Sequence, residues 1–366
     1  KKIGKYSFYG AENIYSLVFP SNLEEIGDSA FHGCKITSLF IPDSVKKLGS
    51  SSFRNCESLN SLHLGDSVEN IGDYAFAECT KIKEVEIPNS VKTIGNYAFW
   101  QVSSSYSGYY YDNDNSYMWM LDIPDSVVSI GDFAFDQCSC IRELIIGKNV
   151  VTIGNSAFSN CTRLYNDVII PNSVTSVGDF SFYQCIKMHS IVFGKNVQTI
   201  GEYAFYDCKR LTSSLTIPNS VVSIGNSAFE NCERLTNLKL GNKVQIIGDN
   251  AFKNCNQIEE IFGFPKSIVS YGNGSFCDCQ KMVGHLILYD TVEFVGQQAF
   301  KNCGNLWGDL TIPKSFTKIE DEAFYCCSGI TSVTMSNSVL TIGNGAFNNC
   351  DGISRVTFSN KLVNIS

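Results

Sequence analysis

Long apolar runs are missing from this chain. No stretch reaches 18 consecutive apolar residues, so no transmembrane helix is expected. Positive charge is short as well: 28 Lys and Arg stand against 36 Asp and Glu, a formal net charge of −8 at pH 7. The isoelectric point of about 5.1 follows, and a nucleic-acid partner, which needs a basic face, is not expected. The first residues, Lys1-Lys-Ile-Gly-Lys-Tyr-Ser-Phe8, contain no signal-peptide core. Histidine is scarce. The four (His32, His63, His189, His285) fall at unrelated spacings with no Ser or Cys partner suggested, so no catalytic triad is expected. Gly-rich phosphate loops are lacking, and no Cys-x₂-Cys pair recurs with His, so neither a cofactor nor a metal site is expected.

What the chain does have is self-similarity, which settles architecture before any local reading. An Ile-Gly landmark falls at Gly4, Gly27, Gly49, Gly72, Gly95, Gly131, Gly154, Gly178, Gly201, Gly225, Gly248, Gly272 and Gly296. It is replaced by Glu320 and returns at Gly343. Every step is 22 to 24 residues except one of 36, which places an insertion at about 101–119. All eight prolines, from Pro20 to Pro313, occupy one repeat position directly after a Leu-x-Ile triplet. A residue without an N–H ends a ladder, so the triplet reads as a short parallel strand with period 2. Ser-Val-x-x-Ile-Gly reads as a second extended segment. Gly-x-x-Ala-Phe-x-x-Cys spaces its apolar residues three apart, as one helical or 3-10 turn would.

No coil of 23 residues can bury its own Leu, Ile, Val, Ala, Phe and Cys, so stacked coils must supply one another's walls. Fifteen of the 25 phenylalanines occupy the Ala-Phe slot, from Phe8 to Phe347, and form an expected aromatic spine. Thirteen of the sixteen cysteines share one repeat position, and Cys140, Cys277 and Cys326 are off-register. Stacked equivalents have parallel Cα–Cβ vectors, whereas a disulfide needs its Cβ atoms turned toward each other. The expectation is a ladder of buried thiols. Sequons at Asn160, Asn273 and Asn364 lie on framework positions and read as accidents of the repeat.

The unit Leu-x-x-Leu-x-Ile-Pro-x-Ser-Val-x-x-Ile-Gly-x-x-Ala-Phe-x-x-Cys resembles the BspA-like, or treponemal-type, leucine-rich repeat family over essentially the whole chain. The resemblance implies a non-enzymatic binding solenoid. It also implies a cell-surface or secreted protein of the adhesin kind, recognising host or matrix proteins. The expected fold is a single mainly-β solenoid over 1–366 of about 15 repeats, a right-handed arc. A parallel β-sheet would line its concave face, with short extended or 3-10 turns on the convex face. Solenoids need polar caps, and both ends fall inside a repeat, so the chain is expected to be part of a longer protein. A monomer is expected, without membrane insertion in this segment. An intracellular leucine-rich repeat scaffold is the alternative, and a reduced cysteine ladder suits it.

Function is expected where the pattern breaks. The insertion carries Tyr106, Tyr109, Tyr110, Tyr111, Tyr117 and Trp119 among Ser, Gly and Asn, a composition typical of paratopes. Its Asp112-Asn-Asp114 run lacks the Gly and distal Glu of an EF-hand. On the strands, the residue between the two inward positions points outward. Ile145, Ile169 and Val192 would then form an apolar stripe, rimmed by Glu84, Glu143 and Asp167, of the kind that marks a protein-binding patch.

Overall fold

The computed structural model describes residues 1–102, 119–212 and 214–365. The chain divides into two units, Lys1–Met188 and His189–Ser366. Each is a stack of parallel β-coils, and no helix occurs among the described residues.

Each coil contributes two extended segments. The second, ending on the Ile before the landmark glycine, is a two-residue strand, and these strands form the continuous ladder. In the first unit it runs from Lys2–Ile3 through Glu25–Ile26, Lys47–Leu48, Asn70–Ile71, Thr93–Ile94, Ser129–Ile130 and Thr152–Ile153 to Ser176–Val177. The 36-residue step leaves no mark on it: Thr93 pairs with Ser129 and Ile94 with Ile130. Landmark glycines stack behind these strands because nothing larger fits. A Cβ on Gly95 would lie 2.6 Å from the Asp73 amide nitrogen, and one on Gly131 would meet the Asn96 nitrogen equally closely.

The Leu-x-Ile triplets behave as alternation predicts. Leu39, Ile41, Leu121, Ile123, Leu238 and Leu240 are buried, while Phe40, Asp122 and Lys239 between them are exposed. Framework polar residues satisfy the backbone of the preceding coil. The Ser of Ser-Val donates to the carbonyl before it in the stack, as Ser44 does to Leu23 and Ser267 to Val244, both at 2.6 Å. The Asp or Asn after the glycine accepts from the equivalent amide of the next coil. Examples are Asp73 from Asn96 at 2.8 Å, Asn96 from Asp132 at 2.8 Å, and Asp249 from Asn273 at 2.7 Å. Sequon residue Asn273 is therefore committed within the framework.

Where a spacing of three suggested a helical or 3-10 turn, the chain instead makes a run of turns with left-handed residues two and six places after the glycine. In one coil these are Tyr74 (φ 57°) and Glu78 (φ 64°). Alternate amides reach the next coil, as Tyr74 reaches Asn96 and Phe76 reaches Ala98, both at 2.8 Å. Those between close turns within the coil, as Ala75 does to Gly72 at 3.2 Å. The reason is spacing. Parallel strands stack about 4.8 Å apart, whereas helices pack 8–10 Å apart and keep their hydrogen bonds to themselves.

Behind these turns the Phe rings form the spine. Phe31, Phe53, Phe76 and Phe99 stack with centroids 5.3 to 5.6 Å apart and planes within 13°. Phe205, Phe229 and Phe252 do the same in the second unit at 5.2 and 5.3 Å. Truncating one mid-stack ring would leave a cavity worth roughly 3–5 kcal/mol. Beside them, no two of the sixteen cysteines are joined by a disulfide. Ladder thiols donate to the Phe carbonyl of the preceding coil, for example Cys79 to Phe53 and Cys255 to Phe229, both at 3.1 Å. Cysteine thus serves as a small hydrophobe with a weak donor.

The ladder of second strands breaks once in the second unit. Thr199–Ile200 through Phe294–Val295 form one sheet, and Lys318–Ile319, Thr341–Ile342 and Asn364–Ile365 form another. The break sits at Glu320, the one landmark that is not glycine. A Cβ at the neighbouring landmark Gly296 would be 2.5 Å from the Asn273 nitrogen, so a real Cβ at this slot forces adjacent backbones apart. Turn bonds persist there, Gln298 to Asp321 at 3.0 Å and Phe300 to Ala323 at 2.9 Å.

Candidate binding surface

The expected binding residues divide by position. Tyr106, Tyr109, Tyr110, Tyr111 and Tyr117 lie outside the described residues, as does the Asp112-Asn-Asp114 run. Trp119 opens the strand Trp119–Ile123, which pairs with Ile141–Ile146. The insertion therefore leaves after the turn segment and returns at the start of a strand. Its exit is anchored: Gln101 donates its amide to the Asp136 carbonyl at 3.0 Å, and Val102 is buried. Asp136 is itself buried. Its carboxylate accepts from the Trp100 indole at 3.1 Å, the Gln137 amide at 3.3 Å and the Asn160 amide at 3.2 Å. Burial raises its pKa above the ordinary carboxylate value, and these donors oppose the rise. The same contact occupies the amide of sequon residue Asn160.

On the strand face of the first unit, Ile145 is 47% and Ile169 is 61% exposed; in the second unit Val192 is 54% exposed. Glu84, Glu143 and Asp167 are exposed. Ile145 and Ile169 sit on consecutive coils. Their strands are held together through Asn166, which accepts from the Leu144 amide at 3.1 Å and donates to the Leu144 carbonyl at 3.0 Å. A carboxamide stands in for a peptide unit there, which fixes the spacing of the two isoleucines without a regular ladder.

Three aromatic groupings lie at positions that the repeat pattern left unremarked. Tyr74, Tyr97 and Phe133, all left-handed turn residues, stack at 4.6 and 4.5 Å. The Arg54 guanidinium caps this stack 5.0 Å from the Tyr74 ring, and Trp100 meets Tyr97 edge-on. Phe40 stacks on His63 at 4.6 Å, and His285 on Trp307 at 4.8 Å. A signal was available: Tyr, Tyr and Phe recur at one slot in three consecutive coils. Three of the four histidines are thus partners of rings: His32 also stacks on Tyr9 at 4.7 Å, and its pKa is lowered by burial and by Arg54. Among the described residues no group of three His, Cys, Asp or Glu could hold a metal, and no helix is long and apolar enough to cross a membrane.

A solved structure shares this architecture. A leucine-rich repeat protein from Bacteroides ovatus is 26% identical, with 94% of this chain and 87% of that one covered and a TM-score of 0.71. A leucine rich cell surface protein from Faecalibacterium prausnitzii is 21% identical, covering 98% and 88% of the two chains at a TM-score of 0.37. A leucine-rich repeat protein from T. pallidum is 21% identical over 62% of this chain and 79% of that one, with a TM-score of 0.30. Curated proteins yield no match. The profile of the BspA type leucine rich repeat region matches residues 1–113, 107–214, 162–283, 199–307 and 283–366. Together these spans cover the chain from end to end, and it belongs to the BspA-type leucine-rich repeat family.

Proposed function

We propose that the chain is a non-enzymatic protein-binding solenoid, acting as an adhesin-type module at a cell surface or in a secreted protein, with host or matrix proteins as ligands. The observation that carries this reading is the contrast between the two faces of the strands. Inward positions are sealed, whereas Ile145 and Ile169 stand 47% and 61% exposed beside acidic neighbours. Exposed apolar groups with a polar rim mark recognition surfaces. Family membership supports binding over catalysis, because leucine-rich repeat families are generally non-enzymatic scaffolds. An intracellular scaffold is the second reading, favoured by the buried thiol ladder, since reduced cysteines persist best in a reducing compartment.

Binding to an immobilised panel of matrix proteins (collagen, fibronectin, laminin) tests the first reading. Saturable binding at about 10 μM or tighter to at least one of them is expected, weakened about ten-fold by Ile145→Ser combined with Ile169→Ser. No binding up to about 100 μM would contradict it. Protease shaving of intact source cells separates the compartments: a surface module is cleaved, and a scaffold is spared.

A further inference from the structure

Trp307 lies in the longest strand of the second unit, Leu306–Ile312, and is 52% exposed. One face of its indole is covered by His285 of the preceding coil, with ring planes 6° apart. The geometry beneath this pair is built for it. Gly308 adopts φ +113°, and a Cβ there would sit 2.1 Å from His285 Cδ2, so any other residue would evict the imidazole. Gly329 follows in the next coil, where a Cβ would lie 2.3 Å from the Leu306 carbonyl oxygen. With one face stacked on His285, the 52% exposure of Trp307 leaves the rest of the indole open to solvent.

Two residues beyond Trp307, Asp309 is exposed on the same strand. Its Oδ1 accepts from the Thr331 and Ser332 hydroxyls at 2.9 and 2.6 Å, which fixes the carboxylate. These bonds, Ser332 first, hold its pKa below the ordinary carboxylate value, with weaker attraction from the Arg355 and His285 side chains. Its Oδ2 accepts no hydrogen bond among the described residues, and Asp309 forms no ion pair within 4.0 Å among them, although Arg355 lies opposite Ser332 on the next coil. An open aromatic face beside a fixed, half-used carboxylate is complementary to a cation: the ring quadrupole and the carboxylate both attract it.

We infer that Trp307, backed by His285, and Asp309 form a recognition site for a cationic side chain, arginine or lysine, presented by an extended segment of a protein partner. The site deepens the protein-binding reading by naming the chemistry of one contact, and it requires neither the insertion nor a surface location. A planar guanidinium fits it best, since it can lie on the indole while donating to Oδ2.

Isothermal titration calorimetry with the peptide acetyl-Gly-Arg-Gly-Arg-Gly amide tests it, with citrulline replacing both arginines as the uncharged control. The arginine peptide is expected to bind saturably and the citrulline peptide at least about ten-fold more weakly. Trp307→Ala and Asp309→Asn should each lower affinity for the arginine peptide about ten-fold or more. Asp309→Asn keeps an acceptor for Thr331 and Ser332, so the variant should still unfold in one cooperative transition, a little below the parent midpoint, and show that charge, not loss of the fold, is at issue. Equal binding of the two peptides overturns the site. So does undiminished binding by both variants, which would signal diffuse attraction to an acidic chain. Matrix-protein binding is scored separately: its absence alongside a positive peptide titration removes the adhesin reading and leaves this site standing.

Discussion

Ser52, Ser181 and Ser275 occupy the slot that elsewhere holds Ala30, Ala75 or Ala98 beside the spine. All three are fully buried and their hydroxyls have no hydrogen-bond partner. A buried hydroxyl without a partner loses its hydration and gains nothing in return. Replacing any one of them by Ala should therefore stabilise the protein by about 1 kcal/mol, read as a higher urea midpoint at unchanged slope; a lower midpoint would mean that an unseen partner exists. The thiols invite a second prediction. Burial pushes Cys34 and Cys350 up to about 11 and Cys277 up to about 12, and the deeper ladder members are raised further. Only the thiolate is reactive, so stability of the native state should suppress labelling at pH 8. Native protein should label rapidly at about one site, the half-exposed Cys326, while unfolded, unreduced protein should label at nearly all sixteen. Few reactive thiols after unfolding would mean that disulfides are present. The cysteine register was legible in the sequence because position alone dictates parallel Cβ vectors. The partner of each thiol was not, because it is a backbone carbonyl one coil away.

At the scale of the element, strands and turns differed in how far the sequence revealed them. Alternation in Leu-x-Ile has one structural meaning once a face is buried, so outward residues such as Phe40, Asp122, Ile145, Ile169, Val192 and Lys239 could be read one by one, and their exposures follow. A spacing of three has two meanings, a 3-10 turn or a run of linked turns. Coil-to-coil distance decides between them, and that distance belongs to the stack and not to the segment. Trp307 went unread for a related reason, since it precedes the triplet in a part of the coil where the repeat demands nothing. Glu320 shows the opposite case: a single departure from glycine coincides with a break in the ladder between Phe294–Val295 and Lys318–Ile319. Glu320→Gly should let those strands pair. Hydrogen exchange is expected to show new protection at residue 320, comparable to Gly343, which donates to Ile319 at 2.8 Å. Stability should rise by about 1 kcal/mol, the new bonds outweighing the added backbone entropy of glycine. Unchanged exchange would place the cause of the break elsewhere.

For the whole molecule, repeat identity explains assembly and little of recognition. Buried Leu, Ile, Val, Phe and Cys recur because every coil solves the same packing problem. We propose that specificity is left to outward positions such as Ile145 and Ile169, to Trp307 with Asp309, and to the insertion. The pairing of Thr93–Ile94 with Ser129–Ile130 carries the ladder unbroken across the insertion, so the scaffold is expected to fold without it. Removing residues 104–116, the thirteen by which the 36-residue step exceeds 23, separates the two roles in one comparison. Thermal unfolding and affinity for a matrix-protein ligand should be measured side by side on the parent and deleted chains. An unfolding midpoint within about 2 °C of the parent, together with affinity reduced about ten-fold or more, is the predicted result. A collapsed midpoint, or a folded chain that binds as tightly as before, would contradict the assignment of recognition to the departures from the repeat.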